Sequence, residues 1–272
     1  MPSTTTISPE KLARLIGTPK CPMLIDVRTD ADFQSDPRLV PSARRRNADR
    51  LADWIGSVPA PAIVYCQQGH RLSEGVAALL RAHGIAAEIL EGGFEAWRDA
   101  RQPLVRLDKG PMPNIDGKTV WVTRARPKVD RIACPWLIRR FVDPDALILF
   151  VTPAEVAAVA ERFGGAPFDI DDVFWSHRGD LCTFDVMIEE FGLATTPLLR
   201  LAAIVRGADT ARPDLAPEAS GLLAASLGLS RMYADDLKQL DAGMLLYDAF
   251  YRWCRDATGE THNWPTNKPK AD

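Results

Sequence analysis

Residues 62–71, Ala62-Ile63-Val64-Tyr65-Cys66-Gln67-Gln68-Gly69-His70-Arg71, decide the fold of the first half of the chain. A short apolar run of strand type leads straight into a cysteine, a Gly-containing loop and an arginine. From Leu72 to His83 the spacing turns helical, with Val76, Leu79 and Leu80 on one face and Gly84 as the stop. Open parallel sheets place reactive groups at this kind of junction, where a strand ends and a helix begins. Outward from it, Met23-Leu24-Ile25 is a second strand ending at Asp26, and Ala87 to Leu90 is a third. Glu91-Gly92-Gly93 then precedes a helix bearing Phe94 and Trp97, and Ser8-Pro9-Glu10 opens an earlier helix with a capping serine. Strands alternating with helices predict an α/β domain with a mainly parallel sheet covered on both faces.

The chain has 272 residues, which suits two domains. Residues 101–118 carry three prolines and two glycines without periodicity. The expected organisation is therefore a domain over 1–107, a linker over 108–118, a second domain over 119–256 and a flexible polar tail over 257–272. Residues 1–110 carry 15 basic and 13 acidic side chains, and the remainder 18 and 23, which agrees with a division there. Beyond it, 119–122 and 146–151 are strand-like. Helical patterns cover 131–142, 153–163, 184–191, 197–206, 217–227 and 234–253, predicting an α-rich α+β domain with a small sheet.

A net charge of -3 argues against nucleic acid as a partner. No run approaches the roughly 18 apolar residues that cross a bilayer. The first residues lack a basic and an apolar signal region, and five widely spaced cysteines do not read as a disulfide framework. The expectation is a cytoplasmic protein with no membrane partner. Its oligomeric state is left open by the sequence.

Cys66 heads a loop whose backbone N–H groups can converge on one point, at the positive end of a helix. A thiol there should be acidic, and Arg71 can fork two hydrogen bonds to an anionic oxygen. This is a cradle for a tetrahedral oxyanion over a nucleophilic sulfur. Leu24-Ile25-Asp26-Val27-Arg28, the Cys-x-x-Gly-x-Arg loop and Leu90-Glu91-Gly92-Gly93-Phe94-Glu95-Ala96-Trp97 occur in the order seen in single-domain rhodaneses, and residues 1–107 resemble that family. The resemblance implies sulfur transfer through a persulfide on Cys66, with Arg71 as its catalytic partner. Gln67, Gln68, Gly69, His70 and Leu72 would line the substrate, and Asp26 and Arg28 would pair to support the loops. Its partners would be a small sulfur donor such as thiosulfate and a thiophilic acceptor, with no cofactor required. Four residues between Cys66 and Arg71 exclude the longer loop of related phosphatases. Val40-Pro41-Ser42-Ala43 departs from the family, which has Gly after the Pro. The run Arg44-Arg45-Arg46 with Arg50 is either a solvated loop or a means of steering anions.

In the second half, Asp130, Arg131 and Cys134 are followed by His177, Arg178, Asp180, Cys182 and Asp185, and then by Arg206 and Asp209. Charges interleaved this tightly with Cys, His and Trp suggest a polar pocket. If Asp130 caps its helix, Cys134 lies one turn in on the same face. The blocks 130–140, 176–185, 206–209 and 228–231 resemble the C-terminal domain of the chromate-resistance protein B family. That resemblance implies an association with chromate, or another oxyanion, as a ligand. His177, Cys182, Asp185 and Cys134 are candidate ligands for a metal such as zinc, but their spacing does not support a metal. Four readings stand: sulfurtransferase, oxyanion sensor without turnover, redox enzyme centred on Cys134 and His177, and, for the second pocket, purely structural hydrogen bonding.

Overall fold

The computed structural model describes residues 5–260. Positions 1–4 and 261–272, including most of the expected tail, lie outside the described residues. In chain order the elements are β1 (Thr6–Ile7), α1 (Pro9–Leu15), β2 (Met23–Asp26), α2 (Asp30–Ser35), β3 (Ala43–Arg45), α3 (Leu51–Trp54), β4 (Ala62–Tyr65), α4 (Arg71–Ala82), β5 (Ala87–Leu90) and α5 (Gly93–Asp99). There follow β6 (Val120–Arg124), α6 (Val129–Leu137), β7 (Leu147–Val151), α7 (Val156–Phe163), β8 (Ala166–Pro167), α8 (Thr183–Glu190), α9 (Thr196–Asp209), α10 (Ala219–Met232) and α11 (Asp236–Asp256).

The first sheet has the order β1-β5-β4-β2-β3, all parallel. β4 is buried at every residue, as a central strand covered on both faces must be. The second sheet, β7-β6-β8, is also parallel and sits among the helices. Among the described residues no helix is long and apolar enough to cross a membrane.

One expectation changes here. The arginine run is not a loop: Ala43–Arg45 is the edge strand β3, paired with β2. Each basic side chain there has a partner, Arg44 with Asp143 and Asp145 and Arg45 with Asp30. Ser42, in the position where the family has Gly, adopts φ 65°, a left-handed backbone that favours glycine. Its N–H donates to the Phe141 carbonyl across the molecule, 2.6 Å away.

That bond lies on a broad seam. One continuous apolar cluster runs from Leu12, Leu24, Tyr65, Phe94 and Trp97 into Trp121, Trp136, Phe141, Tyr247 and Tyr251. Gly17, at φ 74°, lets α1 turn directly against Phe141 and Tyr251, where a side chain would collide. The halves that the linker separates in sequence therefore share a core.

Candidate active site and a second polar cluster

Cys66 follows β4 directly, and Leu90-Glu91-Gly92-Gly93 follows β5 beside it. The two loops are pressed together backbone to backbone. A Cβ on Gly69 (φ 71°) would lie 2.6 Å from the Gly93 nitrogen and 2.8 Å from the Leu90 oxygen. A Cβ on Gly93 (φ 61°) would run into the Cys66 carbonyl. The first turn of α5 then secures the loop's carbonyls: Phe94 N–H donates to Cys66 O and Glu95 N–H to Gln67 O, both at 3.0 Å. With the carbonyls held on that side, N–H groups of the loop are free to face the sulfur.

The Cys66 thiol is buried, with Ser73 Oγ 3.3 Å from its sulfur. Burial pushes the thiol up. Against it act the Ser73 hydroxyl and the backbone N–H groups of Ser73, His70 and Gln68, and the net result is a thiol below its ordinary value of 9.0. Ser73, at the first turn of α4, had no part in the sequence reading. A serine seven residues after Cys66 was the available signal.

The other expected residues divide. Arg71 and His70 are exposed at the mouth of the loop, as is Gln68. Gln67 turns its side-chain amide to Glu95 Oε1 at 3.0 Å, away from a substrate role. Leu72 packs against the apolar cluster under β4. Asp26 and Arg28 pair with both side chains fully buried, 2.7 Å apart. Arg28 also donates to the carbonyls of Asp36 and Arg38 and lies 3.8 Å over the Phe94 ring. The pair thus ties β2, the 36–38 loop and α5 together next to Cys66.

The second-half candidates do not form one pocket. Lys128, not Asp130, is the residue before α6, and Asp130 sits inside its first turn. Its carboxylate instead reaches the start of another helix, accepting N–H bonds from Thr183 at 2.7 Å and Phe184 at 3.4 Å. There it occupies the positive end of α8. Cys134 is one turn on, as expected, but fully buried. Burial and then the Asp130 charge push its thiol well above 9.0. Cys182 is likewise pushed up by burial and donates to Asp185, which pairs with Arg206 at 2.7 Å. Those three residues form a separate capping group, and neither cysteine has the thiolate character that redox chemistry requires. Arg178 pairs with Glu190, and Asp180 is exposed.

The remaining residues converge with one that sequence reasoning missed, Asp169. His177 Nε2 lies 3.3 Å from Asp209 Oδ2, 3.5 Å from Asp169 Oδ1 and 3.6 Å from Asp130 Oδ2. Asp169 has φ 53° in the irregular stretch after β8, where periodicity is silent. It is further held by Thr183 Oγ1, Arg131 and Arg124. Hydrogen bonds to Asp169 and Asp209 raise the His177 imidazole to about 10. Burial, then the charges of Asp209 and Asp169, raise the Asp130 carboxyl well above its ordinary range. Three carboxylates thus surround one imidazole, with Arg131 and Arg124 paired to Asp169 at its edge.

The geometry agrees with what the chain resembles in sequence. Residues 8–100 match the family model of the Rhodanese-like domain, and residues 121–254 match that of the ChrB, C-terminal domain. Over 132 residues the chain is 36% identical to Protein ChrB of Cupriavidus metallidurans, a match covering 48% of this chain and 39% of that relative. Among solved structures, a rhodanese-related protein from Thermoplasma volcanium is 18% identical, covering 37% of this chain and 97% of that one, with a TM-score of 0.33. A rhodanese-like domain protein from Staphylococcus aureus is 28% identical, covering 35% and 91%, with a TM-score of 0.31.

Proposed function

We propose that this chain, a rhodanese-like domain joined to a ChrB C-terminal domain, is a sulfurtransferase whose persulfide carrier is Cys66. One observation carries the reading: a buried thiol, 3.3 Å from the Ser73 hydroxyl, held below its ordinary value by that hydroxyl and three backbone N–H groups. A merely structural cysteine, such as Cys134 here, shows the reverse. In the first step the Cys66 thiolate attacks the outer sulfur of a donor such as thiosulfate. An S–S bond forms, the donor's S–S bond breaks, and sulfite leaves with the electron pair. The N–H groups around the sulfur and the guanidinium of Arg71 stabilise the anionic sulfonate and then the persulfide. In the second step a thiophilic acceptor takes the outer sulfur and the thiolate is regenerated.

The resemblance of the second half to the chromate-resistance family supports reading this cycle as part of a cytoplasmic response to oxyanion stress. Thiosulfate and chromate are both tetrahedral dianions, so the Cys66 cradle fits either shape. Intact-mass spectrometry after thiosulfate treatment, with Cys66→Ala beside it, tests the transferase. A gain of one sulfur atom that the variant lacks supports it. No adduct on the unmodified chain, together with saturable sulfate or chromate binding, would establish the non-catalytic sensor in its place.

A further inference from the structure

We infer that Asp130, His177 and Asp209 form a binding site for a divalent first-row transition-metal ion. One ligand atom from each lies within 4.8 Å of the others. An ion with bonds of about 2.1 Å holds neighbouring ligands roughly 3.0–3.4 Å apart. His177 Nε2 meets that spacing at 3.3 Å from Asp209 and stands just beyond it, at 3.6 Å, from Asp130.

The second observation is an unpartnered atom. Asp130 is 1% exposed, and its Oδ1 is buried without a hydrogen-bond partner. A buried carboxylate oxygen left unpaired costs free energy on the order of 1–3 kcal/mol or more, which a cation held by the same carboxyl group would offset. The same carboxyl group is the one that faces His177 through its other oxygen.

Charge points the same way. Asp169 is balanced by Arg131 and Arg124. Among the described residues, His177 is the only ion-pair partner of Asp209 and of Asp130, whose other partners are two backbone N–H groups and the Cys182 thiol. A dication in place of one imidazole proton neutralises both carboxylates. His177 is 40% exposed in its side chain, which gives the ion a route in and leaves positions for water. Two carboxylates and one imidazole suit Mn2+, Fe2+ or Zn2+.

The probe is Mn2+, because it is a poor match for the Cys66 thiolate. Chelator-treated full-length protein is titrated with Mn2+, and the free ion is followed by electron paramagnetic resonance. The expected result is one ion per chain, with affinity lowered at least roughly 10- to 100-fold in Asp209→Asn and unchanged in Asp180→Asn. No saturable binding, or equal binding by Asp209→Asn, overturns the site. Asp209 is partly exposed, and circular dichroism confirms that the variant is folded. An independent check on the unmodified protein is Mn X-ray absorption: oxygen and nitrogen neighbours with one imidazole support the site, and a sulfur neighbour refutes it.

Discussion

Gly69 and Gly93 touch through their backbones, so the loop that holds Cys66 is shaped by a turn that follows a different strand. The nucleophile's surroundings are thereby fixed by two glycines that carry no chemistry. Gly93→Ala must displace the Cys66 carbonyl or the α5 turn, and both glycines stand at positive φ. The expected outcome is a loss of persulfide formation of at least about tenfold, as misplacement near 1 Å typically costs that or more. Thiosulfate-dependent mass gain measures it, and a variant as fast as the parent would dismiss the steric account.

Ser73 is the one side chain that lowers the Cys66 thiol. In Ser73→Ala the midpoint of iodoacetamide alkylation against pH should move upward, toward 9.0 or past it. The sign follows because burial is the opposing force and stays in place. An unchanged midpoint would assign the effect to the loop N–H groups alone.

His177 makes stability fall with rising pH. Its imidazole goes from an ordinary 6.5 to about 10 in the folded chain. Below pH 6.5 both states hold the proton and the contribution is complete. As pH rises from there through about 10 it drains away, because the unfolded chain loses the proton first. Urea unfolding of chelator-treated protein across that interval should show a declining midpoint that flattens in His177→Gln. An equal slope in both would place the titration elsewhere.

Removing Arg28 strands Asp26, whose side chain is fully buried. Arg28→Ala should destabilise the fold by about 3–5 kcal/mol, the usual result of leaving one member of a buried pair alone. Arg28→Lys should recover only part, since an ammonium cannot serve Asp26 and the carbonyls of Asp36 and Arg38 together. Chemical denaturation gives both values, and a loss under about 1 kcal/mol in Arg28→Ala would contradict the pairing's structural role.

The sheet around Cys66 was legible because β2, β4 and β5 are short apolar runs that parallel burial demands, each bounded by a turn signal. β3 was not, because an edge strand carrying Arg44 and Arg45 has the composition of a solvated loop. In the first half, family motifs pointed to Cys66, while Ser73 and the Gly69–Gly93 contact emerge only once two loops meet. In the second half, sequence proximity misled. Cys182 and Asp185 lie near His177 in the chain but serve the start of α8. Of the true neighbours, Asp130 and Asp209 come from elements far from His177 in sequence, and Asp169 lies on its other side in the chain. Nothing local to Asp169, a left-handed residue in an irregular stretch, announces its role.

The apolar cluster running from Leu12 and Trp97 to Trp136 and Tyr251 makes the two family segments one thermodynamic object. Cut apart at the linker, each would present to water an aromatic face that the other now covers. The unit that shares one apolar core is thus larger than the unit that sequence families count. A substitution at Phe141 will be felt at Cys66 as a change in the fraction of chains that carry a working loop, without any signal passing between the sites.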